Sequence, residues 1–482
     1  MASGRTWGKR ILIALGVVVA LVVVLIAAAF GYLVYLKVPQ SASGITAKAI
    51  CSGAFVAGRD PNTLFDEDVI GASPILNIVS VKVNEQNNSV TAKTLGLFNQ
   101  TASLQPERGC VLGLPPDPNA VPYQPSVSPA QWPNGDAALP QAQWPAGVDA
   151  TALNSVVQQA FVGSGDIAAA NARGVAVIQN GKALVLQEAP GFQGIPLHGW
   201  SMTKSVAGML AYKVLMANNV PLDTKVVDSF KPGRAPSWVA DWQQDDRSQI
   251  TIRELFNMTD GLANTEGYTP LDATVRMLNA EQDMANFAAN AKLEYPPGTH
   301  WNYTSQTANI LAAVARGQFD NDQEYWAYPT TALFEPIGAN SATLETDTDG
   351  TWVGSSYLWA TLSDWAKFAQ LGLKDGAWDG KQVLPAGWWQ FASTSALPTG
   401  DGAGYSAQTW LPYNQVGGEC RSTPGVPADT VAMEGHWGQK IAMVPSKQAV
   451  IVRLGWTFDS TQFNYCQFFA DVLKTLPDAS AQ

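Results

Sequence analysis

Histidine is almost absent from this chain: three residues in 482, His198, His300 and His436, lie far apart along the sequence. A catalytic zinc ion needs clustered nitrogen, sulfur or carboxylate ligands, and no two of these histidines stand at ligand spacing. No serine satisfies Gly-x-Ser-x-Gly, the sharp strand-to-helix turn of a Ser-His-Asp hydrolase. The nearest stretch, Gly199-Trp200-Ser201-Met202-Thr203, lacks the second glycine. A phosphate-binding Gly-x-x-x-x-Gly-Lys loop is missing too. Charged residues make up only 14%, and the basic ones are outnumbered 29 to 40. The resulting net charge of −11 argues against nucleic acid and anionic membrane surfaces as partners, since both would repel it. Internal repeats are lacking as well.

What is present begins with an unbroken apolar run from Ile11 to Leu36. At about 1.5 Å per residue this run spans a hydrocarbon core of about 30 Å with some tilt. Arg5, Lys9 and Arg10 precede it, so residues 1 to 10 are expected in the cytoplasm and everything after Lys37 outside it. Ala27-Ala28-Ala29 resembles a signal-peptidase site, but the apolar run continues seven residues past it, through Leu36. An uncleaved single-pass anchor is therefore expected in the cell membrane, with the rest of the chain periplasmic or extracellular.

Four cysteines in an oxidising compartment suggest two disulfides. Of the three possible pairings, the local one is expected: Cys51 with Cys110, and Cys420 with Cys466.

The 46% hydrophobic content and the length point to one large or two fused folded units. Residues 38 to 48 read as a small, polar spacer, and residues 49 to 111 as a compact accessory module. Its clearest strand candidate is Pro74 to Val83, followed after Asn87-Asn88 by Ser89 to Ala92. Residues 112 to 147, rich in Pro, Gln, Ala and Asn, read as an extended linker or wrapping arm. The main domain is expected over residues 148 to 476. It opens with a helix from Ala152 to Ala170 and a hairpin of Gly174–Ile178 and Ala183–Gln187 around Asn180-Gly181. Strands return at Lys440–Val444 and Ala449–Leu454, before a last helix from Ser460 to Leu473. Strands from both ends with helices between predict an α+β fold, an antiparallel sheet flanked by helices.

The chemistry centres on Ser201 and Lys204, at the entry to the helical run Val206, Met209, Leu210, Val214 and Leu215. Positions i and i+3 are neighbours on a helix, so the lysine amine reaches the serine hydroxyl. A desolvated lysine is a base that turns serine into a nucleophile. The plain alternative makes Ser201 an N-cap and Lys204 a surface residue. Trp200, Val206 and Met209 argue against it, because they imply a buried helix. Tyr303, in Tyr295-Pro296-Pro297-Gly298-Thr299-His300-Trp301-Asn302-Tyr303-Thr304-Ser305, is a candidate proton shuttle or an ordinary packed tyrosine. In Glu434-Gly435-His436-Trp437-Gly438-Gln439, glycine permits close backbone approach, and an N–H there is a candidate oxyanion donor; the alternative is a strand-edge bulge.

In this order and spacing, the three segments resemble the serine β-lactamase and penicillin-binding-protein superfamily. The likeness is closest to its class C-like esterases, D-aminopeptidases and 6-aminohexanoate-oligomer hydrolases. Supporting stretches are Glu254-Leu255-Phe256-Asn257-Met258-Thr259-Asp260-Gly261-Leu262 and Gly354-Ser355-Ser356-Tyr357-Leu358-Trp359-Ala360-Thr361. Cys51-Ser52-Gly53-Ala54-Phe55-Val56-Ala57-Gly58-Arg59 also looks like a module seen in some of these hydrolases. The resemblance implies a helical subdomain beside the sheet and no cofactor. It makes Ser201 the acylated nucleophile, Lys204 its proton acceptor and Tyr303 a general acid/base. Ser305 takes a position where the lactamases usually carry asparagine. His436-Trp437-Gly438 replaces Lys-Thr-Gly and would line the substrate site, and the backbone N–H groups of Ser201 and Gln439 would form the oxyanion hole. A neutral His436 and a bulky Trp437 suit an ester or amide better than a carboxylate-bearing β-lactam. The alternatives are a binding protein for peptidoglycan fragments without turnover, and a true β-lactamase or D-Ala-D-Ala peptidase.

Overall fold

The computed structural model describes residues 3–162, 170–414, 419–458 and 460–479. Helix α1 (Ser3–Tyr35) is the apolar run. Its Arg10–Tyr35 stretch, with mean hydropathy 3.4 and none of its most apolar window buried, is long and apolar enough to cross a membrane.

Residues 38 to 48 are not a spacer. They form helix α2 (Val38–Cys51), which starts with a proline in its first turn. A four-stranded antiparallel meander follows: β1 (Val79–Asn84), β2 (Ser89–Thr94), β3 (Phe98–Gln105) and β4 (Gly109–Leu112). Helix α2 is buried against this meander through small residues. Ser43 Oγ donates to the Phe98 carbonyl of the meander at 2.6 Å, while a Cβ on Gly44 would sit 1.8 Å from the carbonyl oxygen of Asn279, in the helix Ala273–Ala280 of the main domain. A helix whose buried face is Ser, Gly and Ala shows no apolar periodicity, so the sequence pattern concealed it. The strand expected from Pro74 is shorter: Pro74–Ile78 makes a 3₁₀ turn and pairing begins at Val79. Proline, with no N–H and a fixed φ, opens a helical turn more readily than a strand.

From Gly113 to Gly147 the chain is almost without regular structure and runs against the rest of the molecule. Trp132 is buried and donates to the Ser363 carbonyl at 3.3 Å; Leu139 N–H donates to the Ala183 carbonyl at 2.7 Å.

Helix α3 (Ala150–Val162) ends before the expected Ala170; residues 163–169 lie outside the described residues. The hairpin β5 (Ala172–Gln179) and β6 (Lys182–Glu188) turns at Asn180 and Gly181, both at positive φ, as an Asn-Gly hairpin requires. After β7 (Leu197–His198) come α4 (Met202–Ala217), a group of short helices, and α5 (Ser305–Arg316). Then β8 (Thr343–Leu344), β9 (Leu358–Ala360) and α6 (Leu362–Leu373) follow. Strands β10 (Tyr405–Ser406), β11 (Thr409–Trp410), β12 (Val431–Gly435), β13 (Gln439–Val444) and β14 (Ala449–Gly455) lead to α7 (Tyr465–Lys474).

The main sheet has seven strands in the order β10-β11-β12-β13-β14-β5-β6, all antiparallel. Strands from both ends of the domain thus meet at the β14–β5 pairing. Every residue of β5 and β14 is buried because both faces are covered. Val175, Val177 and Ile451 face a core built with Leu153 and Val157 of α3 and Phe469 and Val472 of α7. The alternate residues Ala176, Ile178 and Val452 face the larger core that holds α4 and α6. This is the expected α+β layout, with the helical subdomain between β7 and β9. Disulfides join Cys51 to Cys110 and Cys420 to Cys466, the local pairing.

Candidate active site

Ser201 sits on the turn between β7 and α4. That turn is forced from both sides. A Cβ on Gly199 would meet the Trp365 ring at 2.2 Å, and Trp200 adopts φ of 49°, a left-handed conformation that costs a bulky residue about 1–3 kcal/mol. Ser201 itself is helical, with φ −65° and ψ −11°, and its side chain makes no capping hydrogen bond. Its Oγ instead accepts from Lys204 Nζ at 2.9 Å.

Lys204 is 1% exposed and gives its other protons to Ser305 Oγ at 3.1 Å and the Ser355 carbonyl at 3.0 Å. All three acceptors are formally neutral. Burial therefore pushes the amine down to about 8, against a smaller opposing pull from the Glu266 carboxylate. A lysine near 8 is neutral often enough at physiological pH to accept a proton. Ser201 and Tyr303 keep partial exposure while Lys204 does not, so the pair presents its oxygen and hides its amine.

Tyr303 lies just before α5, whose cap is Thr304. Lys204 Nζ stands 4.8 Å from the centre of its ring. Burial holds the phenol protonated well above its ordinary range, although a hydrogen bond with Ser201 pulls the other way. Ser305 is also 1% exposed, and its polar groups are engaged. Its N–H and O–H donate to the two oxygens of Glu266 at 2.7 and 2.8 Å while its Oγ accepts from Lys204.

No motif or periodicity in the sequence marks Glu266 or Tyr268. They belong to a loop without a motif, and only folding brings Glu266 to Ser305, 39 residues on. The Tyr268 hydroxyl donates to Glu266 Oε1 at 2.6 Å, and its ring lies 4.6 Å from that of His436.

His436, Trp437 and Gly438 form the turn from β12 to β13, with Trp437 at φ 56° and Gly438 at 80°. Burial pushes His436 down to about 4, so this position is uncharged at neutral pH. Trp437 packs edge-on against Trp200 at 5.1 Å. The turn lies directly over Ser201's own: a Cβ on Gly435 would sit 2.2 Å from the Gly199 carbonyl. Gln439 is buried. Its Nε2 donates to the Gly455 carbonyl, and its Oε1 accepts from Gly455 N–H at 3.0 Å, which fixes the start of β13.

Two of the three histidines are engaged away from Ser201. His198 Nε2 donates to the Ser356 carbonyl at 2.7 Å, and burial drives its ring down to about 3. His300 stacks on Tyr295 at 4.0 Å. Among the described residues, no three His, Cys, Asp or Glu side chains converge as a metal site requires.

Residues 159–464 match the protein family described as Beta-lactamase. No curated protein matches the sequence. Among solved structures, one from Bacillus anthracis carries the provisional name of a 6-aminohexanoate-dimer hydrolase. It is 19% identical, covers 64% of this chain and 81% of its own, and has a TM-score of 0.51. A penicillin-binding-protein homologue from Caulobacter crescentus is 14% identical over 70% of this chain and 99% of its own, also at 0.51. Identities this low speak to the fold alone. The family match takes in the main sheet, the Ser201 helix and the Tyr303 segment together, and the chain belongs to the serine β-lactamase and penicillin-binding-protein superfamily.

Proposed function

We propose that the chain is a membrane-anchored, extracytoplasmic serine hydrolase that cleaves an ester or amide through an acyl-enzyme on Ser201. The observation that carries this reading is the 2.9 Å bond between Lys204 Nζ and Ser201 Oγ, with the lysine buried and the serine accessible. Neutral Lys204 takes the Ser201 proton as Oγ attacks the substrate carbonyl carbon. Negative charge develops on the carbonyl oxygen, where the N–H groups of Ser201 and Gln439 receive it. The dipole of the 16-residue α4 favours the same charge. Tyr303 then gives its proton to the leaving group as the C–O or C–N bond breaks. Water, deprotonated by the same residues in reverse, releases the acid and restores Ser201.

The substrate reading rests on charge. Neutral His436 and Trp437 stand where a carboxylate-binding pair is expected, and Glu266 adds negative charge beside them. A substrate carboxylate would find repulsion here, so esters and uncharged amides fit better than β-lactams. The anchor reading rests on the Arg10–Tyr35 helix, with basic residues at its N-terminal end.

The test is a panel run on the full-length protein in detergent: short-chain nitrophenyl esters, 6-aminohexanoate dimer, D-amino-acid amides and a chromogenic cephalosporin. Turnover of an ester or amide that disappears in Ser201→Ala is expected. Cephalosporin hydrolysis as fast as the best ester would overturn the substrate reading.

A further inference from the structure

Among the contacts between the N-terminal module and the catalytic domain is one fully buried carboxylate. Glu345, just after β8, is 0% exposed. Its two oxygens receive four donors: Lys48 Nζ at 2.6 Å, Ser52 Oγ at 2.8 Å, Cys110 N–H at 2.7 Å and Trp359 Nε1–H at 3.0 Å. A carboxylate has about four lone-pair sites, so this one is filled. Three of the donors come from the module, on either side of the Cys51–Cys110 disulfide. Lys48 also donates to the Cys110 carbonyl, and Gly109 leaves room for the carboxylate: a Cβ there would lie 2.6 Å from Glu345 Cγ.

The fourth donor leads to the nucleophile. Trp359 lies on β9, and its ring stacks on His198 at 4.6 Å with only 8° between the planes. His198 in turn packs on Trp200 at 4.0 Å, the residue before Ser201. The same strand holds both ends of the Ser201 turn through Leu358. Its carbonyl accepts from Gly199 N–H at 2.9 Å, and its N–H donates to Thr203 Oγ1 at 3.0 Å. Ser355, four residues before Trp359, gives Lys204 one of its three acceptors.

We propose that Glu345 is a positioning residue for Ser201, and that the disulfide-closed module is a working part of the catalytic centre because it completes the coordination of that carboxylate. If the module shifts, Glu345 loses three of its four donors inside a buried site, and the carboxyl group must take up a proton or admit water in their place. Either change alters the bond to Trp359 and lets β9 move, carrying Trp359, Leu358 and the Ser201 turn along. A displacement near 1 Å at a reacting group costs about a hundredfold in rate. The inference rests on Ser201 being the nucleophile.

The test measures the rate at which a fluorophosphonate labels Ser201, with kcat and KM for an ester, in the full-length protein. Trp359→Phe keeps a ring against His198 and removes one hydrogen bond; Lys48→Met and Cys51→Ala/Cys110→Ala act from the module. Each is expected to slow labelling and lower kcat by about tenfold or more, with KM little changed. Cys420→Ala/Cys466→Ala, which opens the other disulfide behind the sheet, is expected to lower the melting temperature and leave the labelling rate intact. If the module variants do not fold, Trp359→Phe alone decides. A folded Trp359→Phe that labels at the wild-type rate overturns the proposal. Wild-type protein that does not label at all overturns the nucleophile reading instead, so the two failures are distinct.

Discussion

Two pairs of side chains meet at Lys204, and they are built in opposite ways. Ser201 and Lys204 stand three residues apart on one helical turn, 2.9 Å from each other. Glu266 and Ser305 come from a loop and a helix 39 residues apart, and join the lysine only through the Ser305 hydroxyl. In the proposed function the first pair supplies the chemistry, nucleophile and base. The second contains charge: Glu266 receives Ser305 N–H, Ser305 O–H and Tyr268 O–H, with Thr274 Oγ1 more distant at 3.5 Å. A carboxylate so occupied is poorly placed to act as a base. Its effect on Lys204 is electrostatic, holding the amine higher than burial alone would leave it. The local pair should therefore govern whether the reaction occurs, and the long-range pair the pH at which it does.

The largest expected effect is on the first pair. Ser201→Ala should reduce ester turnover by about a thousandfold or more, read from initial rates on folded protein. Lys204→Met should cost about 10²–10⁴ in kcat/KM, the usual contribution of a positioned general base. Retention of most activity would place the base elsewhere and dissolve the comparison.

Glu266→Gln should act differently. In the proposed mechanism Lys204 works as its neutral form, so kcat/KM should rise with pH through an acidic limb near the lysine's value of about 8. The Glu266 charge stabilises the protonated amine; removing it makes the amine lose its proton more easily, and the limb should move to lower pH. A limb that stays in place, or moves up, would mean that the carboxylate does not act on Lys204. The smallest effect is expected from coupling. Ser305→Ala and Glu266→Gln share one hydrogen-bond chain, so their combined cost should fall short of the sum of the singles, measured as a double-mutant cycle in kcat/KM.

The same division decides what was legible in the sequence. Asn180-Gly181 and the apolar helix behind Lys204 were readable because each is a short-range pattern; the cysteine pairing, across 59 and 46 residues, was readable because four cysteines allow only three pairings. Helix α2 was missed because its contact face is Ser43, Gly44 and Ala47, where close approach replaces apolar area. Glu266 was missed because a loop carboxylate has no periodicity, and its partners are set by the fold. Glu345 was missed for the same reason: its donors lie 293 and 235 residues away at Ser52 and Cys110. Buried polar groups meet their partners across the chain, so motif reading finds the helix that follows Ser201 before it finds what holds that helix in place.

The central claim, that Lys204 activates Ser201, is tested most directly by mapping a fluorophosphonate adduct on the full-length protein by mass spectrometry across a pH series. One adduct is expected, on the peptide containing Ser201, forming faster as pH rises through about 8 and absent in Ser201→Ala. An adduct on another residue that persists in Ser201→Ala, or a folded protein that forms none, would contradict it.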